Sequence, residues 1–337
     1  MQVKMINRRI YIMGLILLLV GAGLVYGGDV KLAQTGFQFL SVGSNARGSA
    51  MANALTTVEI GSAALQYNPA GMARQGQLID LTLGQNQWID GIKYNSLGLS
   101  VSPYGGRYGV LGLSLLSVDY GEVQGTMVWG NSQGYIDTDI LTPTAFAAGV
   151  GYAKSLTNKF AVGGQVKVTG QQLGHSLILT GEGGDSLKVR ENRAVTTAYD
   201  FGTIYRTGWK SLAFGMSVNN FSREIKYEQE NFELPLTFKI GASLDLLDLW
   251  TGRPAGMGLM LSVEALHPRD YPEQLNLGLE YQYQRMLYMR LGYLLVSDEA
   301  HVTIGGGLQK FGLGIDYAYV PFGVFDNVQM FTLHFGF

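Results

Sequence analysis

Four histidines, His175, His267, His301 and His334, are the side chains in this sequence best suited to bind a metal or move a proton. They stand far apart, and no pair has the His-Glu-x-x-His spacing that sets two imidazoles on one face of a helix. There is no cysteine, so the chain can form no disulfide and no thiolate metal site. Gly305-Gly306-Gly307 and Gly312-Leu313-Gly314 would cradle a phosphate only if a helix followed, and their surroundings read as strand. Small residues that ease curvature, or leave room for a neighbouring segment, account better for them. Asp298-Glu299 offers two carboxylates, far short of the oxygen set that calcium takes. No nucleophile, base and orienting group can be assembled, so the reading is of a chain without catalysis, cofactor or metal.

The remaining charges fall into a pattern. Lys167, Asp200, Arg206, Lys239, Asp245, Glu264, Glu280, Arg290 and Asp316 each occupy the polar phase of a run in which every second residue is apolar. Phe160, Val162, Val166 and Val168 alternate with Ala161, Gly163, Gln165 and Lys167. Leu275, Leu277, Leu279, Tyr281 and Tyr283 alternate with Asn276, Gly278, Glu280 and Gln282. Successive side chains of a strand point to opposite faces, so each run has one apolar face and one polar face. No helical segment follows that could cover the apolar faces, and the runs continue to Phe337. Lipid can cover them. A closed antiparallel barrel satisfies every backbone group in a bilayer, apolar side out and polar side in. The charges then face the lumen, either as a network that stiffens the barrel and holds a plug or as a polar path.

Composition agrees with an all-β transmembrane barrel. Charged residues are only 15 % of the chain, against roughly 25 % in soluble domains. A net charge of −2 gives no basic patch for nucleic acid. Residues 1–27 read as a signal peptide. Lys4, Arg8 and Arg9 precede the apolar stretch 10–25, and Val25-Tyr26-Gly27 offers a small residue at the cut. Export without a helical anchor, followed by alternating strands, places the chain in a Gram-negative type of outer membrane, with outer-membrane lipids as its first partners.

Fourteen strand spans can be laid along the sequence, at 78–84, 94–101, 109–118, 144–153, 159–171, 194–206, 210–219, 235–246, 257–266, 274–283, 287–296, 301–308, 311–319 and 328–337. The connections 119–143, 172–193 and 220–234 are much longer than any on the opposite side, as outer loops of membrane barrels are. A turn at Gln284-Arg285-Met286 predicts Tyr281 opposite Met289, Leu279 opposite Leu291 and Glu280 opposite Arg290, a cross-strand pair of opposite charge. A turn at Gln309-Lys310 predicts Gly306 opposite Leu313 and Ile304 opposite Ile315.

Residues 28–77 break the pattern. Ser44-Asn45 reads as the cap of a short helix over 46–55, and Tyr67-Asn68-Pro69-Ala70-Gly71 as a turn. Fifty residues are too few for a core of their own. They suit a small plug folded back into the lumen, with Arg47 and Asn68-Pro69-Ala70-Gly71 inside and inward carboxylates pinning it. The organisation is thus 1–27 signal peptide, 28–77 plug and 78–337 barrel.

These blocks also carry a resemblance. Phe37-Gln38-Phe39-Leu40 leads to Gly43-Ser44-Asn45-Ala46-Arg47-Gly48-Ser49-Ala50-Met51, and then to Ala63-Ala64-Leu65-Gln66-Tyr67-Asn68-Pro69-Ala70-Gly71. Leu234-Pro235-Leu236, Gly278-Leu279-Glu280-Tyr281, Arg290-Leu291-Gly292-Tyr293 and Gly314-Ile315-Asp316-Tyr317-Ala318-Tyr319 follow. Together they resemble the PorV/PorQ family, within the wider FadL-like group of outer-membrane barrels. The resemblance implies a fourteen-stranded barrel with an N-terminal plug. Its implied partners are secreted-protein cargo or a translocon subunit of type IX-like protein secretion. Trp129, Tyr135, Tyr227, Phe232, Tyr271, Phe322 and Phe325, on outer loops, would supply aromatic anchors for such an interface, or else form an interfacial girdle. The alternative is a FadL-like channel for a hydrophobic ligand, which needs an apolar pocket opening toward the plug.

Overall fold

A computed structural model describes residues 35–180, 186–227, 230–295, 301–325 and 327–337. The signal peptide read at 1–27 and the pair Asp298-Glu299 lie outside the described residues. In chain order the strands are β1 (Ile79–Gln87), β2 (Lys93–Val101), β3 (Val110–Asp119), β4 (Val123–Val128), β5 (Tyr135–Leu141) and β6 (Thr144–Ser155). Next come β7 (Phe160–Thr180), β8 (Ser186–Arg206), β9 (Ala213–Ser222), β10 (Ile225–Tyr227), β11 (Glu230–Phe232) and β12 (Thr237–Asp245). The last are β13 (Met257–Pro268), β14 (Gln274–Tyr283), β15 (Leu287–Leu294), β16 (Val302–Lys310), β17 (Leu313–Val320) and β18 (Val328–Gly336). The pairs β4–β5 and β10–β11 are separate hairpins, and the other fourteen strands form one closed antiparallel barrel. β1 closes it against β18, with Asp80 opposite Gly336 and Gln87 opposite Gln329.

The packing is inverted relative to a soluble domain, as alternation requires. Val150, Val166, Phe201, Met216, Met289, Leu291, Ile304, Ile315 and Phe331 are exposed on the outer face. Ser100, Ser114, Gln165, Asp200, Glu264, Asn276, Glu280, Arg290 and Thr332 are buried inside. The end with short turns, which also carries both ends of the barrel sheet, faces the periplasm.

Every one of the fourteen predicted spans overlaps a barrel strand, and the β14–β15 register has Glu280 opposite Arg290 and Leu279 opposite Leu291 as expected. Two features differ. β7 and β8 each run 21 residues, about twice what a tilted strand needs to cross a bilayer. They stand beyond the outer rim where a loop over 172–193 was expected, and hairpin β4–β5 likewise occupies the expected loop 119–143. The β16–β17 turn lies at Phe311-Gly312 rather than Gln309-Lys310, so Ile304 faces Tyr319 and Gly306 faces Tyr317. A two-residue hairpin turn favours positive φ at its central residues. Phe311 (φ 54) and Gly312 (φ 79) provide it, whereas Gln309 and Lys310 stay paired in the strand.

Residues 35–77 run along the inner face from the outer rim to the periplasmic end. Thr35 forms a parallel bridge to Glu233, and Phe37 stacks on Phe232 at 5.7 Å. Helix α1 (Ala46–Ala50) starts at Asn45, whose side chain accepts a hydrogen bond from the Gly48 amide. It is shorter than the expected 46–55, because Ala52 and Asn53 turn into left-handed backbone at φ 52 and 58. Two 3-10 turns follow, Gly61–Gln66 and Pro69–Met72. The wall makes room with glycine: a Cβ on Gly163 would lie 2.5 Å from the Ala70 amide, and one on Gly305 would lie 2.5 Å from Ala50 Cβ.

Overpacking at such a contact has a measurable consequence. Gly163→Val should lower stability by about 1–3 kcal/mol, read by urea titration of the folded, fast-migrating form in vesicles. Gly314→Val, whose Cβ would meet its nearest neighbour at an ordinary 3.5 Å, should cost about 0.5 kcal/mol or less.

Candidate functional site

The inward charges do not spread evenly over the lumen. They gather where residues 35–77 touch the wall. Arg47, on α1, clasps Glu280 with two parallel bonds, Nε to Oε2 at 2.8 Å and Nη2 to Oε1 at 2.7 Å. Arg290, opposite Glu280 in the sheet, donates Nε to Oε2 at 2.6 Å and Nη1 to Asp316 Oδ1 at 2.5 Å. This four-residue network is neutral as a whole, and each bond in it is charge-assisted. Parity on adjacent strands puts Glu280, Arg290 and Asp316 side by side, and the Asn45 cap fixes where Arg47 leaves the helix.

A second junction forms around Asp80. Its Oδ1 accepts from the Ser62 amide (2.8 Å) and hydroxyl (2.6 Å), while Oδ2 meets His334 Nε2 at 2.6 Å. Glu264 accepts the Thr56 amide at 2.8 Å. Lys239 reaches inward until its Nζ lies 5.8 Å from the centre of the Tyr67 ring. Asn68 donates to the carbonyls of Thr56 (2.7 Å) and Thr203 (3.1 Å), and its Oδ1 accepts from Ala70, which starts the turn containing Pro69, Ala70 and Gly71. Gly71 packs closely on Ala64. Toward the periplasm Glu59 takes both Arg74 (2.9 Å) and Arg206.

Three predicted lumen charges, Lys167, Asp200 and Asp245, sit apart from these junctions. Asp200 binds Lys167 and Asn220 within the wall, where the β8–β9 ladder shifts register. Asp245 ends β12 at the periplasmic edge, caps the turn Leu246–Leu249 and pairs with Arg253 at 2.9 Å. It belongs to the rim, because β12 stops there and the carboxylate is drawn to the turn amide.

Two cavities among the described residues lie on opposite sides of the N-terminal segment, with no lining residue in common. The outer one, of about 490 Å³, is bounded by Leu40, Val42, Trp88, Leu116, Leu266 and Phe322, with Lys167, Lys239 and Asn219 among its polar groups. The inner one, of about 300 Å³, is lined by Arg47, Arg74, Arg290, Asp80, Asp316 and His334. An apolar molecule of modest size fits the character of the first and not of the second.

Several expectations about surface and chemistry change. Phe232 stacks on Phe37, and Phe322 packs edge-on against Trp88 at 5.2 Å, so both serve the outer mouth rather than a free surface. Trp129, Tyr135, Tyr271 and Phe325 are exposed, and the side chain of Tyr227 lies outside the described residues. The sequence also spells Gly130-Asn131-Ser132-Gln133-Gly134, the pattern of a hydrolase nucleophile elbow. It forms the exposed tip between β4 and β5, with no strand-to-helix turn to raise the serine.

No family model and no curated protein matches the sequence. Solved structures do match the fold. The Ralstonia pickettii toluene transporter TbuX is 14% identical over 88% of this chain and 98% of its own, with a TM-score of 0.57. The Pseudomonas putida toluene transporter TodX is 14% identical over 91% of this chain and 98% of its own, with a TM-score of 0.58. A Pseudomonas aeruginosa FadL homologue is 13% identical over 86% and 97%, with a TM-score of 0.50. These matches overturn the resemblance to PorV/PorQ, and type IX secretion, secreted-protein cargo and a translocon partner fall with it. The quoted blocks mislead for a physical reason: Asn45 and Asn68 cap turns, Arg47 meets a wall carboxylate and Gly71 fits a close contact, demands that any segment lying inside a barrel would make. The chain is a multi-pass β-barrel of the Gram-negative outer membrane, with the fold of these transporters and in association with membrane lipid.

Proposed function

We propose that the protein is a passive conduit for small hydrophobic molecules, which enter from outside and occupy the outer cavity. The observation that carries this reading is the cavity itself: the apolar side chains of Leu40, Val42, Trp88, Leu116, Leu266 and Phe322 set among a limited number of charged groups, a volume within the usual range for small-molecule sites, and a position facing the outer mouth. The transporters that share the fold, named for toluene, favour the same class of ligand. In this reading residues 28–77 are a plug, exposed to the lumen once residues 1–27 have been removed as a signal peptide. Arg47 and the Asn68-Pro69-Ala70-Gly71 turn are its anchoring points, and Glu264, Glu280 and Asp316 are the wall carboxylates that hold it. The protein performs no covalent chemistry on what it passes.

Uptake of an aromatic hydrocarbon or a fatty acid into cells bearing the protein, beside cells lacking it, tests the function. Ala147 lines the outer cavity, so Ala147→Trp should reduce uptake several-fold while the heat-modifiable mobility of the barrel is kept. Uptake equal with and without the protein would overturn the reading. The anchoring is tested by urea titration in vesicles. Glu280→Ala strands Arg47 and leaves Arg290 only its bond to Asp316, and should cost about 3–5 kcal/mol. Arg47→Ala leaves Glu280 its bond to Arg290 and should cost about 1.5–3 kcal/mol.

A further inference from the structure

The periplasmic turns share a feature that neither the lumen nor conduction explains. Arg107, Lys159, Lys210, Arg285 and Lys310 lie one to a turn, or at its edge, in five of the six periplasmic connections, and all are exposed. None has an ion-pair partner among the described residues. In the sixth connection, 246–256, the cation is paired: Arg253 binds Asp245 and Asp248. Beside the free cations stand exposed apolar rings: Tyr104 and Tyr108, Trp209, Tyr283 and Phe311. Arg107 lies over the Tyr108 ring at 5.8 Å and Lys310 over the Phe311 ring at 5.0 Å.

Backbone geometry makes the choice of residues pointed. Tyr104 (φ 53), Lys210 (φ 54), Arg285 (φ 54) and Phe311 (φ 54) all occupy left-handed conformations. Glycine or asparagine would adopt them at lower cost. Bulky and cationic side chains are kept where the turn itself disfavours them, and strain of that kind is sustained where the side chain has a use. Two connections of the opposite rim have the opposite sign: 88–92 and 120–143 contain Asp90, Glu122, Asp137 and Asp139 and no lysine or arginine, whereas 172–193 and 220–234 mix acidic residues with Lys188, Arg190, Arg193, Arg223 and Lys226.

We infer that the periplasmic rim is a binding surface for anionic glycerophospholipid in the inner leaflet of the outer membrane. Its aromatic rings sit at headgroup depth, and its five unpaired cations meet the phosphodiesters. Rings of this kind settle at the membrane–water interface, and basic side chains beside a bilayer gain attraction from each anionic headgroup within a Debye length. The densest part spans two adjacent turns. Lys159 donates to the Thr207 carbonyl at 3.0 Å, which lays it beside Trp209 and Lys210, so two cations and an indole can meet one headgroup. The acidic connections 88–92 and 120–143 would repel the same lipid on the outer side, and the unpaired cations gather at the periplasmic turns, so the charge arrangement assigns the lipid to the inner leaflet.

Native mass spectrometry of the detergent-purified full barrel, mixed with equal amounts of phosphatidylglycerol and phosphatidylcholine, tests this. The intact protein should retain phosphatidylglycerol over phosphatidylcholine by about tenfold or more, and added salt should erase the preference. A variant combining R107Q, K159Q, K210Q, R285Q and K310Q should retain the two lipids equally, while a variant exchanging lysine and arginine at the same positions should keep the preference. Mobility on unheated gels confirms that each variant is folded. Should the combined variant fail to fold, K159Q/K210Q alone should lose at least half of the preference. Parity in the intact protein, or a preference that survives the glutamine changes, would overturn the inference. So would displacement of the lipid by equimolar inorganic phosphate, which would make a free anion the ligand.

Discussion

One buried carboxylate joins the lumen to the wall. Glu280 is held between Arg290 of the neighbouring strand and Arg47 of the N-terminal segment, and Arg290 in turn holds Asp316. Two cations and two anions balance, but only with Arg47 in place. Removing any one leaves an unbalanced charge at the buried Glu280 and Arg290, at a cost well above that of an ordinary hydrogen bond. The same logic repeats at Asp80, which needs Ser62 and His334, and at Glu264, which needs the Thr56 amide. The inner face of the barrel is therefore complete only when the segment lies against it. The glycines opposite the segment follow from that constraint, since backbone can reach these carboxylates only where the wall carries no side chain.

Much of the barrel was legible in the sequence because a strand's period of two is rigid. Each run that alternates Leu-x-Leu or Val-x-Val has one possible lipid face, so strand spans, strand number and the Glu280–Arg290 pairing all followed. Where alternation no longer discriminates, legibility ended. Beyond the bilayer both faces of β7 and β8 are wet, so their extensions looked like loop. Around 305–314 five glycines blur the phase, and the β16–β17 turn lies two residues beyond the expected Gln309-Lys310, where backbone geometry at Phe311 and Gly312 sets it. The Asn45 cap was readable from residue type, but the end of α1 depends on left-handed residues at Ala52 and Asn53, which the sequence does not signal.

The site was legible by parity and not by partner. Alternation put Glu264, Glu280, Arg290 and Asp316 inside, yet nothing local links Arg47 to Glu280 across more than two hundred residues. Glu59, Arg74, Asp80 and Ser62 gave no sign of forming junctions, because each contact closes only when the barrel does. Function was less legible still. Short blocks such as Asn-Pro-Ala-Gly answer a packing demand common to many lumen segments and so pointed to the wrong family. The shape and lining of the outer cavity carry the better argument, and they exist only in three dimensions.

Central to the proposed function is a lumen closed by the N-terminal segment, between the outer cavity and the charged inner one. Planar-bilayer conductance tests that closure most directly, comparing the intact protein with a barrel lacking residues 35–70 whose folding has been verified by gel mobility. A silent or barely conducting intact protein is expected, with large, stepwise openings once the segment is gone. Equal conductance in the two would contradict it.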